Sequence, residues 1–425
     1  MNKNQNIIIK PLIINGTIRA AASKSHYQRA LAISILAKGK TVLKNTSDSG
    51  DVIAVKNILN QLGIELIEKD NTLIINNLKI INFKNININV GESGLALRMF
   101  SFILSIISSG YTIDGEGTLL NRPLKPLIDS IIASGLNVSG EKLPLQISGK
   151  ISKNPIEMDG SISSQMLSGL LISLPLLDTD TFLKVNKLVS KPYVDMTLEL
   201  MEKFGIKIEH DNYQEFNIDG NQTYKSAEID IEGDWSGSAN GLVGAAISGK
   251  ITIENLNSLS KQADRKILEA LHQFGAKVNI FENKISVEKD QKYTFNFDAS
   301  DCPDLFPPLL LLATSARGIS RIKGRNRLFF KESNRSKSLI DIFSKLGAEI
   351  YADGDEIIVN GKGKLTGNQI IESHNDHRIV MIATMAATLT NAPIEITNPH
   401  CVNKSYPHFF EDFFKYSQQK TLNYE

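Results

Sequence analysis

The chain has almost no cysteine: Cys302 and Cys401 are the only two among 425 residues. So few cysteines exclude a disulfide-stapled scaffold and fit a reducing, cytoplasmic setting. Charge of either sign is not in excess, with 47 basic residues against 46 acidic ones and a formal net charge of +1. That balance gives no general attraction to nucleic acid or to a membrane surface, and neither is expected as a partner. Long apolar runs are missing as well. The longest candidate, 305–316, is too short to span a bilayer and contains Pro307 and Pro308. The opening residues MNKNQNIIIKPL show no signal-peptide core followed by a small-residue cleavage site. There is no G-x-x-x-x-G-K-[ST] loop and no G-x-G-x-x-G after a strand, so nucleotide binding lacks its usual marks. His374, His377, His400 and Cys401 fit no zinc spacing, and no metal is expected.

What is present is a repeat. Six polar clusters, starting at Ser25, Gly94, Ser164, Ser236, Asp304 and Asp376, recur every 68 to 72 residues. Each runs directly into an apolar helix-like segment, such as LALRMFSFILSIISSG or HRIVMIATMAATLT. Helices apolar nearly all round must be buried in a soluble protein. Their first turns carry unpaired N–H groups and the positive end of the helix dipole, which attract anions. A second periodicity agrees with the first: Gly63, Gly135, Gly205, Gly275 and Gly347 lie 70 to 72 residues apart. Each follows an amphipathic stretch, as a helix-terminating glycine does, and each precedes an alternating triplet such as Ile64-Glu65-Leu66. The unit reads buried helix, strand, amphipathic helix, glycine, strand, strand. A sixth amphipathic helix, 409–416, has no strands after it. One N-terminal strand, 7–16, is expected to supply the missing pairing and bring the chain ends together. Six units divide into two sets of three. The chain is expected to cross between domains near 19–22 and again near 232–234, giving domains 20–231 and 1–19 with 232–425.

The clusters gather cations beside hydrogen-bonding groups. In SKSHYQRA, Lys24 and Ser25 stand at a helix start and Arg29 lies one turn on, on the face of Ser25; together they suit a phosphate or carboxylate. GESGLALR puts Gly94 where backbone can approach a ligand, and its Arg98 needs either a structural carboxylate or a ligand. Arg122 in NRPLKP is held extended by the following proline. Ser163, Ser164, Gln165, Ser190 and Tyr193 are neutral groups that suit a hydroxylated ligand, although serines at such places often only cap helices. Asp304, with Lys331, Glu332 and Arg335 in KESNR, offers carboxylates near cations, a setting for tuned proton transfer or simply a solvated helix turn. His377 and Arg378 in NDHR, with Lys404 further on, repeat the cation-at-helix-start theme.

In this order and spacing, SKSHYQRA, ESGLALR, NRPLKP, DGSISSQ, LVSKPYVD, DCPDLF, KESNR, NDHR and NKSYP resemble the 5-enolpyruvylshikimate-3-phosphate synthase family over most of the chain. The resemblance implies an α/β fold of two domains. Each has three βαβαββ-type units around buried parallel helices, and the active site lies in the cleft between them. It also implies transfer of the enolpyruvyl group of phosphoenolpyruvate to the 5-hydroxyl of shikimate 3-phosphate, by a monomer that uses no cofactor. Carried over by motif, shikimate 3-phosphate would meet Lys24, Ser25, Arg29, Ser163, Ser164, Gln165, Ser190, Tyr193, Asp304 and Lys331. Phosphoenolpyruvate would meet Lys24, Gly94, Arg122, Gln165, Arg335, Arg378 and Lys404. Asp304 would be the base, and Glu332 or Lys24 would handle the proton at the methylene carbon.

This chain departs from the family pattern at Glu92 and Leu95, where Asn and Thr are usual, at Arg327, where Asn is usual, and at Asn334, where Asp is usual. Two other readings remain. A sister transferase acting on UDP-N-acetylglucosamine usually carries a reactive cysteine before its Arg-Pro, and GEGTLLNRP has none. A non-catalytic anion-binding relative would fit the departures but not the retained Lys24, Arg122, Asp304, Glu332, Arg378 and Lys404.

Overall fold

The computed structural model describes residues 6–78, 83–414 and 423–424. Residues 1–5 at the N-terminus and 415–416 at the end of the expected last helix lie outside the described residues. The chain forms two compact units, Ala22–Ile231 and Met1–Ala21 with Glu232–Glu425.

Among the described residues there are six four-stranded sheets, all of one design. An edge strand runs parallel to its neighbour, and two antiparallel strands complete the sheet. In the first unit, for example, Ile156–Asp159 pairs in parallel with Thr181–Asn186, which pairs antiparallel with Glu215–Ile218 and so on to Glu209–Asp211. The second unit repeats this with Asn296–Asp298, Arg317–Lys323, Glu356–Lys362 and Glu349–Asp353. Alternation in the sequence becomes alternation in burial: Leu145–Ser148 and Ile156–Asp159 bury every second residue. The edge strand before each buried helix is the element absent from the unit read off the sequence.

The predicted all-apolar helices form the inner layer of each unit. Lys24–Leu36, Gly94–Ile107 and Gln165–Ser173 serve the first, and Trp235–Ser248, Phe306–Ser315 and His377–Ala386 the second. Every residue from Phe306 to Ser315 is buried. Close packing shows at Gly169, where a Cβ would stand 2.9 Å from both the Arg98 carbonyl oxygen and the Met99 Cα. The amphipathic helices, such as Gly50–Gln61, turn Val52, Val55, Ile58 and Leu59 inward. Five of them end at Gly63, Gly135, Gly205, Gly275 and Gly347, all in the left-handed region. In each the following residue's N–H reaches back to close the helix, as Ile64 does to the Leu59 carbonyl at 3.0 Å.

The N-terminal segment differs from the single expected strand. Ile7–Ile9 pairs antiparallel with Ile394–Ile396, whereas Asn15–Arg19 pairs in parallel with Lys250–Glu254 in another sheet. Pro11 lies between them and has no N–H to give a ladder. The last helix, Phe409–Phe414, is followed by a strand after all: Asn423–Tyr424 pairs with Ile7–Ile8. Glu228–Asp230, at the end of the first unit's segment, returns to the start of that unit and completes the sheet of Gly39–Lys44. At the second crossing, Glu232 accepts hydrogen bonds from Asn257, Ser260 and Gln262, and the Asp234 N–H donates to the Ala21 carbonyl at 2.8 Å.

Candidate active site

In the unit 22–231 the first turns of the three inner helices come together. Ser23 caps the helix Lys24–Leu36, Ser93 caps Gly94–Ile107, and Gln28 bridges them by donating to the Ser93 hydroxyl at 2.8 Å. Lys24 reaches out of this end and pairs with Asp51 at 2.8 Å. Arg29 is buried. Its Nε donates to Thr197 at 2.8 Å, one Nη to the Ser25 carbonyl at 3.0 Å, and the other to Ser168 at 3.3 Å. Its guanidinium also lies 5.9 Å from the centre of the Tyr193 ring. Among the described residues no carboxylate pairs with it, and burial pushes its pKa down to about 10, with Tyr193 opposing. A buried cation held only by neutral groups has charge left for an anion.

Gly94 occupies a narrow place between two guanidiniums: a Cβ there would stand 2.6 Å from Arg122 Nη1 and 2.7 Å from Arg98 Nη1. Arg98 donates to the Gly94 carbonyl at 2.9 Å and to the Gln165 side chain at 3.0 Å. Those contacts give Arg98 amide partners and fix Gln165 at the start of the third helix. Ser164 is buried at that helix start, and the Ser163 hydroxyl accepts from the Gln165 N–H at 3.2 Å. Ser190 sits buried at the start of Lys191–Lys203 with φ 56, a conformation that a non-glycine residue holds only at some cost. Lys24, Ser25, Arg29, Gly94, Arg122, Ser163, Ser164, Gln165, Ser190 and Tyr193 all belong to this unit.

The unit containing 232–425 holds the other expected residues. Asp304 lies in the short 3-10 turn Pro303–Leu305 just ahead of its helix. It accepts from Arg335 Nη1 at 2.8 Å, Arg378 Nη2 at 3.0 Å and Lys331 Nζ at 3.2 Å. Burial alone would push the Asp304 carboxyl up, but Arg378, Lys331 and Arg335 together hold it well below the usual carboxylate range. Arg335, fully buried, also donates to Glu332 at 2.6 Å and grips Asp376 with Nε and Nη2 at 2.9 and 3.0 Å. Burial lowers its proton affinity, and Asp376, Glu332 and Asp304 more than restore it. Asp376 caps the helix His377–Ala386 through the Arg378 N–H at 3.0 Å. Lys404 is buried at the end of the turn Pro399–Lys404, which packs on that helix.

Several participants were not found from the sequence. Asp51 gave the signal of an acidic first turn, but nothing linked it to Lys24 27 residues away. Asp264, Ser168 and Thr197 read as ordinary polar residues, and Ser236 stood out only as the start of the fourth cluster. KESNR proves not to be a helix turn: the helix begins at Arg335, and Lys331 and Glu332 precede it. The departures have local accounts. Asn334 caps that helix by accepting from the Lys337 N–H at 3.2 Å, which an amide does as well as a carboxylate. Glu92 accepts from the Thr118 N–H and hydroxyl at 2.9 and 2.8 Å, so its charge is tied to the loop before Arg122. Leu95 is buried in the core, and Arg327 donates to the Ser300 carbonyl at 3.3 Å.

A repeated α/β scaffold with cations and carboxylates at the first turns of buried helices suits small anionic ligands. The family model for EPSP synthase (3-phosphoshikimate 1-carboxyvinyltransferase) matches residues 9–413. The chain is 36% identical to the 3-phosphoshikimate 1-carboxyvinyltransferase of Clostridium kluyveri over 410 residues, covering 96% of each. It is 37% identical to that of Clostridium perfringens strain 13, covering 96% of this chain and 97% of the relative. The chain belongs to the EPSP synthase family. Its fold is that of the Acinetobacter baumannii EPSP synthase structure, with a TM-score of 0.82 at 24% identity over 99% of this chain and 100% of that one. Among the described residues, no helix is long and apolar enough to cross a membrane.

Proposed function

We propose that this chain transfers the enolpyruvyl group of phosphoenolpyruvate to the 5-hydroxyl of shikimate 3-phosphate and releases phosphate. The observation that carries the reading is the family match across residues 9–413, with relatives of that name matched along nearly their whole length. The two cationic clusters serve that one reaction. Lys24, Ser25, Arg29, Ser163, Ser164, Gln165, Ser190 and Tyr193, with Asp304 and Lys331, take shikimate 3-phosphate. Lys24, Gly94, Arg122, Gln165, Arg378 and Lys404 take phosphoenolpyruvate. Arg335 joins them through the one Nη1 hydrogen that Asp376, Asp304 and Glu332 leave over, or by exchanging one of those carboxylates.

The chemistry balances without a cofactor. The 5-hydroxyl oxygen attacks C2 of phosphoenolpyruvate while its proton passes to Asp304, and C3 gains a proton from Lys24 or Glu332. The resulting tetrahedral intermediate loses C3's proton and expels phosphate, restoring the double bond. Asp304 is a weak base while three cations face it. Substrate phosphates and carboxylates draw on the same cations, which raises its proton affinity when it is needed. Holding both reactants in line contributes up to roughly 7–11 kcal/mol. We read the protein as a cytoplasmic monomer, with two free cysteines.

The test is phosphate release from phosphoenolpyruvate by purified protein, with shikimate 3-phosphate and, separately, with UDP-N-acetylglucosamine. Release with shikimate 3-phosphate alone is expected. A folded protein silent with both would sink the reading.

A further inference from the structure

One carboxylate in the second unit has no part in the reaction as written. Asp264, in the turn Ala263–Lys266, is 2% exposed, and the Ser236 hydroxyl donates to its Oδ2. The same hydroxyl accepts from Arg378 Nη2 at 3.1 Å, and that nitrogen also lies 3.0 Å from Asp304 Oδ2. A hydroxyl has one proton and spare lone pairs. With its proton on Asp264, it turns a lone pair to Arg378, so Asp264, Ser236, Arg378 and Asp304 form one line. We propose that Asp264 is a positioning residue for Arg378, acting through Ser236, and that it takes up a proton from solvent when an anionic substrate reaches that guanidinium.

The physical reason is crowding of like charge. Asp264 shares its surroundings with Asp304, from the turn before the fifth buried helix, and with Asp234, which caps the helix Trp235–Ser248. Arg378 and Lys331 are the facing cations. Lys266 and Glu269 lie beside Cys302, whose thiol burial and then Asp264 push up, so it stays neutral. Burial first, then Asp304, brings the Asp264 carboxyl up to about 7, against the pull of Arg378 and Lys331. A substrate anion at Arg378 adds negative charge and engages the cation that opposes protonation. Asp264 then gains a proton, its charge-assisted bond to Ser236 weakens, and Arg378 is released to the ligand. The proton returns to solvent when product leaves.

This rests on the reading that Arg378 meets phosphoenolpyruvate. The experiment is the pH profile of KM for phosphoenolpyruvate, with melting temperatures confirming that each variant folds. In the wild type KM should rise about three- to tenfold from pH 6 to 8. Titration of the substrate's own phosphate is common to all variants. Asp264→Asn should flatten the remainder with kcat changed far less. Ser236→Ala should raise KM yet keep the slope, and Ser236→Thr should restore KM. Matching slopes in wild type and Asp264→Asn overturn the inference while leaving the reaction intact. A wild type without turnover overturns the reaction instead. Proton uptake is then read by titrating phosphoenolpyruvate calorimetrically at pH 7 in two buffers of different ionisation enthalpy. Equal uptake by wild type and Asp264→Asn, or no binding at all, overturns this inference as well.

Discussion

Arg335 meets Asp376 edge on, with Nε and Nη2 at 2.9 and 3.0 Å from its two oxygens and both side chains fully buried. This fork ties the start of the helix Arg335–Lys345 to the start of His377–Ala386. The pair therefore holds Asp304, Glu332 and Arg378 in register. Removing one partner leaves an uncompensated buried charge. Arg335→Met should cost about 3–5 kcal/mol of stability in urea unfolding, far more than a surface change. A variant as stable as the wild type would show that the fork is dispensable to the fold.

Arg29 predicts the opposite balance. Among the described residues its buried charge has only hydroxyls, a carbonyl and an aromatic face as partners, so the empty protein gains little by keeping it. Arg29→Met should melt at or above the wild-type temperature. Its KM for shikimate 3-phosphate should rise about thirtyfold, roughly 2 kcal/mol of lost charged hydrogen bonding. A fall in melting temperature with unchanged KM would make Arg29 structural.

Asp304 carries both a kinetic and a pH prediction. Asp304→Ala should lower turnover at least ~100-fold, far more than it changes KM for either substrate; unchanged turnover would rule Asp304 out as the base. Its folded-state proton affinity lies below the unfolded one, so its stabilising contribution is fully present above the ordinary carboxylate value near ~3.9 and is lost as pH falls from there through the lower folded-state value. Melting curves of wild type and Asp304→Asn should therefore differ at pH 7 and draw together on acidification. Parallel curves down to low pH would rule out this linkage.

Gly94→Ala tests the space between Arg98 and Arg122. The added carbon would meet only the ends of two flexible side chains, which can move. The protein should fold with a melting temperature within a few degrees of wild type, while KM for phosphoenolpyruvate rises about tenfold or more as the guanidiniums shift. An unchanged KM would remove Gly94 from the substrate's surroundings.

Much of the fold was legible because its period is carried by residues with few alternatives. Gly63, Gly135, Gly205, Gly275 and Gly347 each hold a left-handed backbone, and the helices between them are apolar on every face. The short edge strands were not legible: Glu228–Asp230 and Asn296–Asp298 have three residues each and too little alternation to register. The split of the N-terminal strand was marked by Pro11, but its two destinations depend on pairing with residues far along the chain. Cations stood out because a Lys or Arg before an apolar helix is conspicuous. Two acidic partners, Asp51 and Asp264, did not, since they reach Lys24 and Ser236 across the fold rather than along the sequence. KESNR misled because helical spacing on paper cannot tell a first turn from the bend before it.

The order in which strand partners occur along the chain bears on how the molecule is made. Residues 22–231 contain all three sheets of their own unit, so that half can complete itself while the ribosome is still working. Ile7–Ile9 and Asn15–Arg19 precede that unit in the chain yet have no partners until Ile394–Ile396 and Lys250–Glu254, respectively, are synthesised. Ile7–Ile9 is thus made before the unit 22–231 but sheltered long after it, and during translation its unpaired Ile-rich edge is exposed to wrong partners.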